Sequence, residues 1–228
     1  MQAWLDKLNE TFVVSGGYVQ LLEGLKNTII ITLGALCIGI VIGTLIAVVK
    51  YFGEDVPAMR PLVWLCDLYT TVIRGVPVVV LLLIFYFVIL TSASGVGVGI
   101  VTFGINSGAY MAELIRSGIG AVDAGQMEAG RSLGMSKLQA MKVVVLPQAI
   151  RYILPAIGNE FIALLKETAV AGYVAVVDLT RAGTLIRNNT YDAFNPLMAV
   201  ALIYLLMVVM LTAILGRVEK RLSKSDKR

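Results

Sequence analysis

Three long charge-free runs constrain this chain more than anything else in it. Lys26 and Lys50 bracket 23 uncharged residues, Arg74 and Glu113 bracket 38, and Asp192 and Arg217 bracket 24. A helix crossing the hydrocarbon core of a bilayer, about 30 Å thick, needs about 20 mostly apolar residues. The first and last runs each hold one such helix. The middle run holds two short ones, broken at the Ser- and Gly-rich stretch 91–99, and the first of these can be lengthened through 61–73. A further apolar stretch, 152–177, is interrupted by Glu160, Lys166 and Glu167. The predicted fold class is therefore all-α: an integral membrane helical bundle with five transmembrane spans, near 27–49, 70–91, 99–119, 153–177 and 194–216.

Composition agrees. The chain is 58% hydrophobic and 15% charged, against about 45–50% and about 25% for a soluble domain. It has no histidine, which excludes Ser-His-Asp triads and histidine-based zinc sites. Cys37 and Cys66 lack metal-ligand spacing, so neither a catalytic nor a metal site is expected. Residues 1–26 mix polar and apolar types without the pattern of a signal peptide, and read as an extracytoplasmic amphipathic lead-in. Lys and Arg gather in the tail 217–228 and in the loop after the third span, whereas 91–99 is uncharged. The positive-inside rule then places that loop and the basic tail in the cytoplasm and the N-terminus outside. Arg181 and Arg187 fall on the outer side, against the rule. The excess of basic residues is explained by these loops, without nucleic-acid binding.

The segment 123–147 carries the most specific pattern. Asp123 with Gln126, and Ser136 with Gln139, have the spacing of capping boxes. Gly134 suits a left-handed helix stop, and Leu146-Pro147 reads as the end of the second piece. Two short helices joined at a glycine are expected, with Leu133, Leu138, Met141 and Val145 available to pack. Residues 125–132 match a P-loop except for Arg131 in place of lysine. A P-loop needs a buried strand before it, and here a membrane helix precedes, so ATP binding by this chain is not expected.

Glu128-Ala129-Gly130, then Gly134, then Val144-x-Leu146-Pro147 resembles the EAA loop of ATP-binding-cassette (ABC) importer permeases, with Gly130 and Val144 as mild departures. Arg74-Gly75-Val76-Pro77, the run Asn106 to Arg116, Leu146 to Arg151, Leu165-Lys166-Glu167-Thr168 and Asp178-Leu179-Thr180-Arg181 are similar to the polar amino-acid uptake branch of that family (histidine, glutamine, arginine and opine permeases). Lys166-Glu167-Thr168-Ala169 departs from the usual Lys-Asp/Asn-Thr-Ser. The resemblance implies a type I ABC importer transmembrane domain over 27–216. It implies that the loop is a coupling helix, in which Glu128, Ala129, Gly130, Arg131, Leu133 and Gly134 meet a separate ATPase. It further implies two ATP-binding subunits carrying ATP-Mg, an identical or homologous permease partner, an extracytoplasmic amino-acid-binding protein, and a bacterial inner membrane. No cofactor is expected in this chain.

The ionisable groups within the spans support a solute pathway. Charges at mid-membrane depth are costly and are functional candidates by default. Glu160 and Glu167 are seven apart and share a helix face. Lys166 either pairs with a glutamate or faces solute. Asn106 and Ser107 on the third span are the other expected pathway residues, while Glu113 and Arg116, near its cytoplasmic end, read as a gate or anchor pair or as interfacial charges. Gly39-x-x-x-Gly43 and Gly104-x-x-x-Gly108 permit close helix approach. The rival reading is an ATP-independent secondary transporter or channel, with Glu160, Lys166 and Glu167 as an ion or proton relay. A membrane enzyme is disfavoured by the missing histidine.

Overall fold

The computed structural model describes residues 2–53 and 56–224. They form helices α1 Gln2–Asn9, α2 Gly17–Gly53, α3 Arg60–Gly75, α4 Val78–Ile84, α5 Gly95–Gly120, α6 Ala124–Ser132, α7 Lys137–Ala140, α8 Leu146–Glu167, α9 Leu179–Thr190 and α10 Phe194–Lys224. Among the described residues, four helices are long and apolar enough to cross a membrane, or up to five spans if the broken pair Pro57–Gly75 and Val78–Ile89 counts as one. The first charge-free run lies inside α2 and the last in α10, while the middle one runs from Gly75 through α4 into α5. α2 is much longer than its run, beginning at Gly17 within the expected lead-in.

Two expectations about helix ends are corrected. The stretch 70–91 is not one helix: α3 stops at Gly75 and α4 restarts at Val78, with Pro77 extended at φ −56°, ψ 134°. Proline supplies no N–H and disfavours the helical region for the residue before it. Conversely, Leu146-Pro147 does not end a helix. α7 continues into α8 through a π turn, Met141–Val145, in which the Leu146 N–H donates to the Met141 carbonyl. The wider turn takes up the residue that carries no N–H, so the helix passes through Pro147.

The chain divides into two compact units. The first takes the chain up to Ile38, Val76–Ile105 and Ile162–Leu211. Its core is Ile31, Ala35, Leu82, Val98, Phe103 and Leu164, with Ala171, Val174 and Val176. A second cluster gathers Leu21, Leu179, Ala182, Ile186 and Val200. Polar ties fix the irregular segment before α9. The Asn27 side chain donates to the Val177 carbonyl at 2.9 Å, and the Leu179 N–H donates to the Thr28 hydroxyl at 3.0 Å.

The second unit takes Gly39–Gly75, Asn106–Phe161 and the chain from Thr212. Here α2 and α5 touch backbone to backbone. A Cβ on Gly43 would lie 2.4 Å from the Met111 Cβ and 2.8 Å from the Ala112 nitrogen. Only glycine allows this approach.

Candidate functional site

The 123–147 segment builds a small helical knob in the second unit, held by its own hydrogen bonds. Asp123 caps α6 by accepting the Gly125 N–H at 2.8 Å. The expected partner, Gln126, does not close a capping box there. Its side-chain oxygen instead accepts from Gln148 Nε2 at 3.1 Å, which ties α6 to α8. At the other end of α6, Gly134 has φ +84°. The Met135 N–H donates to the Gly130 carbonyl at 3.2 Å and the Gly134 N–H to the Arg131 carbonyl at 3.0 Å. These two bonds form a Schellman motif, which satisfies the last carbonyls of the helix. Ser136 then opens α7 with both halves of a capping box, Gln139 N–H to Ser136 Oγ at 3.2 Å and Ser136 N–H to Gln139 Oε1 at 2.8 Å.

Packing sorts the knob into two faces. Gly130 is buried because a Cβ there would sit 3.0 Å from the Ala140 Cβ. Met141 and Val145 are buried as expected. Leu133 and Leu138 are not: Leu133 is 80% exposed at the tip and Leu138 is 48% exposed. Glu128, Ala129, Arg131 and Gly134 are also exposed. An exposed leucine between a glutamate and an arginine on one side and a left-handed glycine on the other is a surface suited to docking.

Of the expected pathway residues, the structure brings Ser107 and Glu160 together. The fully buried Ser107 hydroxyl donates to Glu160 Oε1 at 3.0 Å. Asn106 is 3% exposed. Lys166 and Glu167 belong to the first unit, Lys166 exposed and Glu167 half-buried.

A charged cluster in the second unit was only half visible beforehand. Glu113 accepts from Arg116 at 2.8 Å and from Lys50 at 3.0 Å, and Lys50 also lies 2.7 Å from Asp67. Lys50 is 8% exposed. Arg74, expected only to snorkel at a kink, places its guanidinium 5.3 Å from the centre of the Tyr110 ring. Lys50 and Asp67 could not be assigned from spacing, since Lys50 and Glu113 are 63 residues apart.

The family described as "Binding-protein-dependent transport system inner membrane component" matches residues 39–224. The chain belongs to this family. The permease is 37% identical over 211 residues to the arginine transport system permease protein ArtQ of Bacillus subtilis (strain 168), covering 90% of this chain and 94% of that one. It is 35% identical over 207 residues to the glutamine transport system permease protein GlnP of Escherichia coli (strain K12), covering 89% and 92%. Among solved structures, a crystal structure of an amino acid ABC transporter with histidines superposes with TM-score 0.84 at 39% identity, covering 92% of the permease and 98% of that chain. The MetNI methionine ABC transporter, in inward-facing form, shares the fold at 22% identity and TM-score 0.79. The permease thus has the membrane-domain fold of ABC importers. Membership of a binding-protein-dependent transport family does not favour the ATP-independent relay through Glu160, Lys166 and Glu167.

Proposed function

We propose that this permease forms the translocation pathway for a polar amino acid in an ABC importer, by alternating access driven from a separate ATPase. The knob at 123–147 carries the reading. Its helices are capped internally, while Leu133, Glu128 and Arg131 face outward, which suits a rigid lever docked in a partner's groove. Two such partners would bind ATP-Mg, and this chain would do no covalent chemistry. An identical or homologous permease would complete the pathway, and an extracytoplasmic binding protein would deliver the solute.

Glu160, presented by Ser107, with Asn106 beside it in sequence, is the proposed polar lining on the α5 and α8 side. Lys166 and Glu167, in the first unit, are also proposed as substrate-pathway residues. The names of the relatives, arginine and glutamine permeases, support a polar amino acid as cargo. We propose that the basic tail lies in the cytoplasm and residues 1–26 outside, with the pathway domain over 27–216.

The test is solute uptake by proteoliposomes holding the permease, its ATPase and its binding protein. Glu128→Arg and Gly134→Asp are expected to abolish ATP-driven uptake while assembly in the membrane persists. Uptake that ignores ATP and both substitutions would refute the coupling role.

A further inference from the structure

A small pocket of about 180 Å³ lies within the first unit, where the 3₁₀ turns Thr168–Val174 meet the start of α9. Ala169, Gly172 and Tyr173 line it from the turns, and Thr180, Arg181 and Thr184 from α9. It is smaller than the about 300–1,000 Å³ of sites for drug-sized ligands, so it suits one functional group of a solute rather than a whole large molecule.

Arg181 gives the pocket its charge. It is exposed, and among the described residues its guanidinium makes no hydrogen bond or ion pair. Asp178, three residues back, does not take it. That carboxylate is fully buried and caps α9, accepting the Thr180 N–H at 3.0 Å and the Arg181 N–H at 3.1 Å. Helix stability does not account for the arginine either, since a cation is disfavoured in a first turn. Its stem is nonetheless held in place. A Cβ on Gly172 would lie 3.2 Å from the Arg181 Cβ and 3.5 Å from its Cδ, so the stem packs across the glycine on the pocket wall.

The two threonines supply the opposite chemistry. The Thr184 hydroxyl donates to the Thr180 carbonyl at 3.1 Å, and the Thr180 hydroxyl to the Tyr204 hydroxyl at 3.4 Å. With their protons spent inside the protein, both oxygens have only acceptor lone pairs to offer a ligand. A bare anion satisfies Arg181 and leaves these acceptors unused. A simple cation uses the acceptors but is repelled by the arginine. The head group of an α-amino acid answers both, with a carboxylate for the guanidinium fork and an ammonium for the hydroxyl oxygens.

We propose that this pocket binds the head group of a free α-amino acid, carboxylate on Arg181 and ammonium at Thr180 and Thr184. The inference rests on the proposed import role for the choice of a free amino acid, and on its topology for placing the pocket on the outer side, where solute arrives. The solute's own side chain would leave beside Tyr173, which is 69% exposed. The pocket would therefore accept amino acids without reading their side chains.

The test reads Arg181 directly. The purified full chain is treated with phenylglyoxal, which modifies arginine, and modification is followed by peptide mass spectrometry. Arg187, also exposed on α9, is the internal reference. L-glutamine is expected to slow modification of Arg181 relative to Arg187. 4-Aminobutanamide, which lacks the α-carboxylate, and glutaramate, which lacks the α-ammonium, are each expected to need about tenfold more to protect, from the loss of a charge-assisted contact. Thr184→Val is expected to weaken protection by L-glutamine about fivefold and to leave protection by glutaramate unchanged.

No protection of Arg181 by L-glutamine, or equal protection by 4-aminobutanamide, would overturn the proposal. So would equal protection by glutaramate in wild type, which would make the pocket a site for any carboxylate, a partner protein's side chain included. Protection is read without ATP, ATPase or binding protein, so its failure is separate from any failure of transport.

Discussion

Replacing Gly43 with alanine tests the close crossing of α2 and α5. The added Cβ would lie 2.4 Å from the Met111 Cβ, whereas ordinary contacts begin at 3.4 Å. The two backbones must therefore part by about 1 Å, or shift by a comparable amount, a form of overpacking that costs about 1–3 kcal/mol. Alanine also favours a helix over glycine by about 1 kcal/mol, which partly hides the cost. Gly216→Ala on α10 removes this ambiguity, because nothing lies within 4 Å of a Cβ there. Both substitutions gain the same helix preference, so the difference between them isolates the crossing. Thermal unfolding of the two purified variants in one detergent is the assay. Gly43→Ala should melt below Gly216→Ala by about 2–4 °C for each kcal/mol of overpacking, the scaling for a chain of this size. Equal melting of the two single variants would refute the crossing geometry.

Three further outcomes follow from polar groups. Removing Lys50 as Lys50→Gln should destabilise by about 1–3 kcal/mol, less than a fully isolated buried pair because Arg116 still holds Glu113 at 2.8 Å; a double-mutant cycle with Glu113→Gln by chemical denaturation should show coupling, and additive effects would disprove it. Burial pushes the Asp192 carboxyl up, but hydrogen bonds from the Asn195 side chain and backbone and from Thr11 outweigh it and hold the group below the usual carboxylate range. A lowered folded value means its stabilisation is complete above the ordinary aspartate value of about 3.9 and is lost as pH falls through the folded value. Asp192→Asn should therefore flatten the acid dependence of unfolding below about pH 4, and an unchanged acid profile would contradict the assignment. Ser136→Ala should cost about 1 kcal/mol, visible as faster amide hydrogen exchange at Gln139 and Ala140 with the membrane helices unaffected; unchanged exchange there would show that the cap does not hold the knob.

What could be read from the sequence follows physical range. Charge-free runs locate α2, α5 and α10 because hydrocarbon tolerates no alternative to an apolar helix. Gly134 and the Ser136–Gln139 cap were legible because each acts within a few residues. Pro77 and Pro147 show where local reading is ambiguous: the same residue type breaks one helix and is carried through another, and only the π turn before Pro147 decides. Lys50 and Asp192 were read merely as the ends of apolar runs. Asn195, three residues on, is a local partner of Asp192, but Thr11 is 181 residues away and Glu113 is 63 residues from Lys50, and a single sequence carries no signal for such distant pairings. Ser107 and Glu160 were each picked out separately, by position on a span and by the cost of a buried charge. Their contact at 3.0 Å was not.

The π turn at Met141–Val145 also sets a rotational phase. Each residue of an α-helix turns the chain by about 100°, so one extra residue offsets the two ends of the α7–α8 helix by that amount. The knob at one end and Glu160 at the other therefore face in directions fixed by a single inserted position. Deleting Val143, exposed within the turn, would restore a regular helix with every side chain chemically intact. It would nonetheless swing the knob about a quarter turn around the helix axis relative to the Ser107–Glu160 contact. If the proposed coupling role holds, the angle at which a push on Leu133 would reach α8 is set by residue count rather than by residue identity.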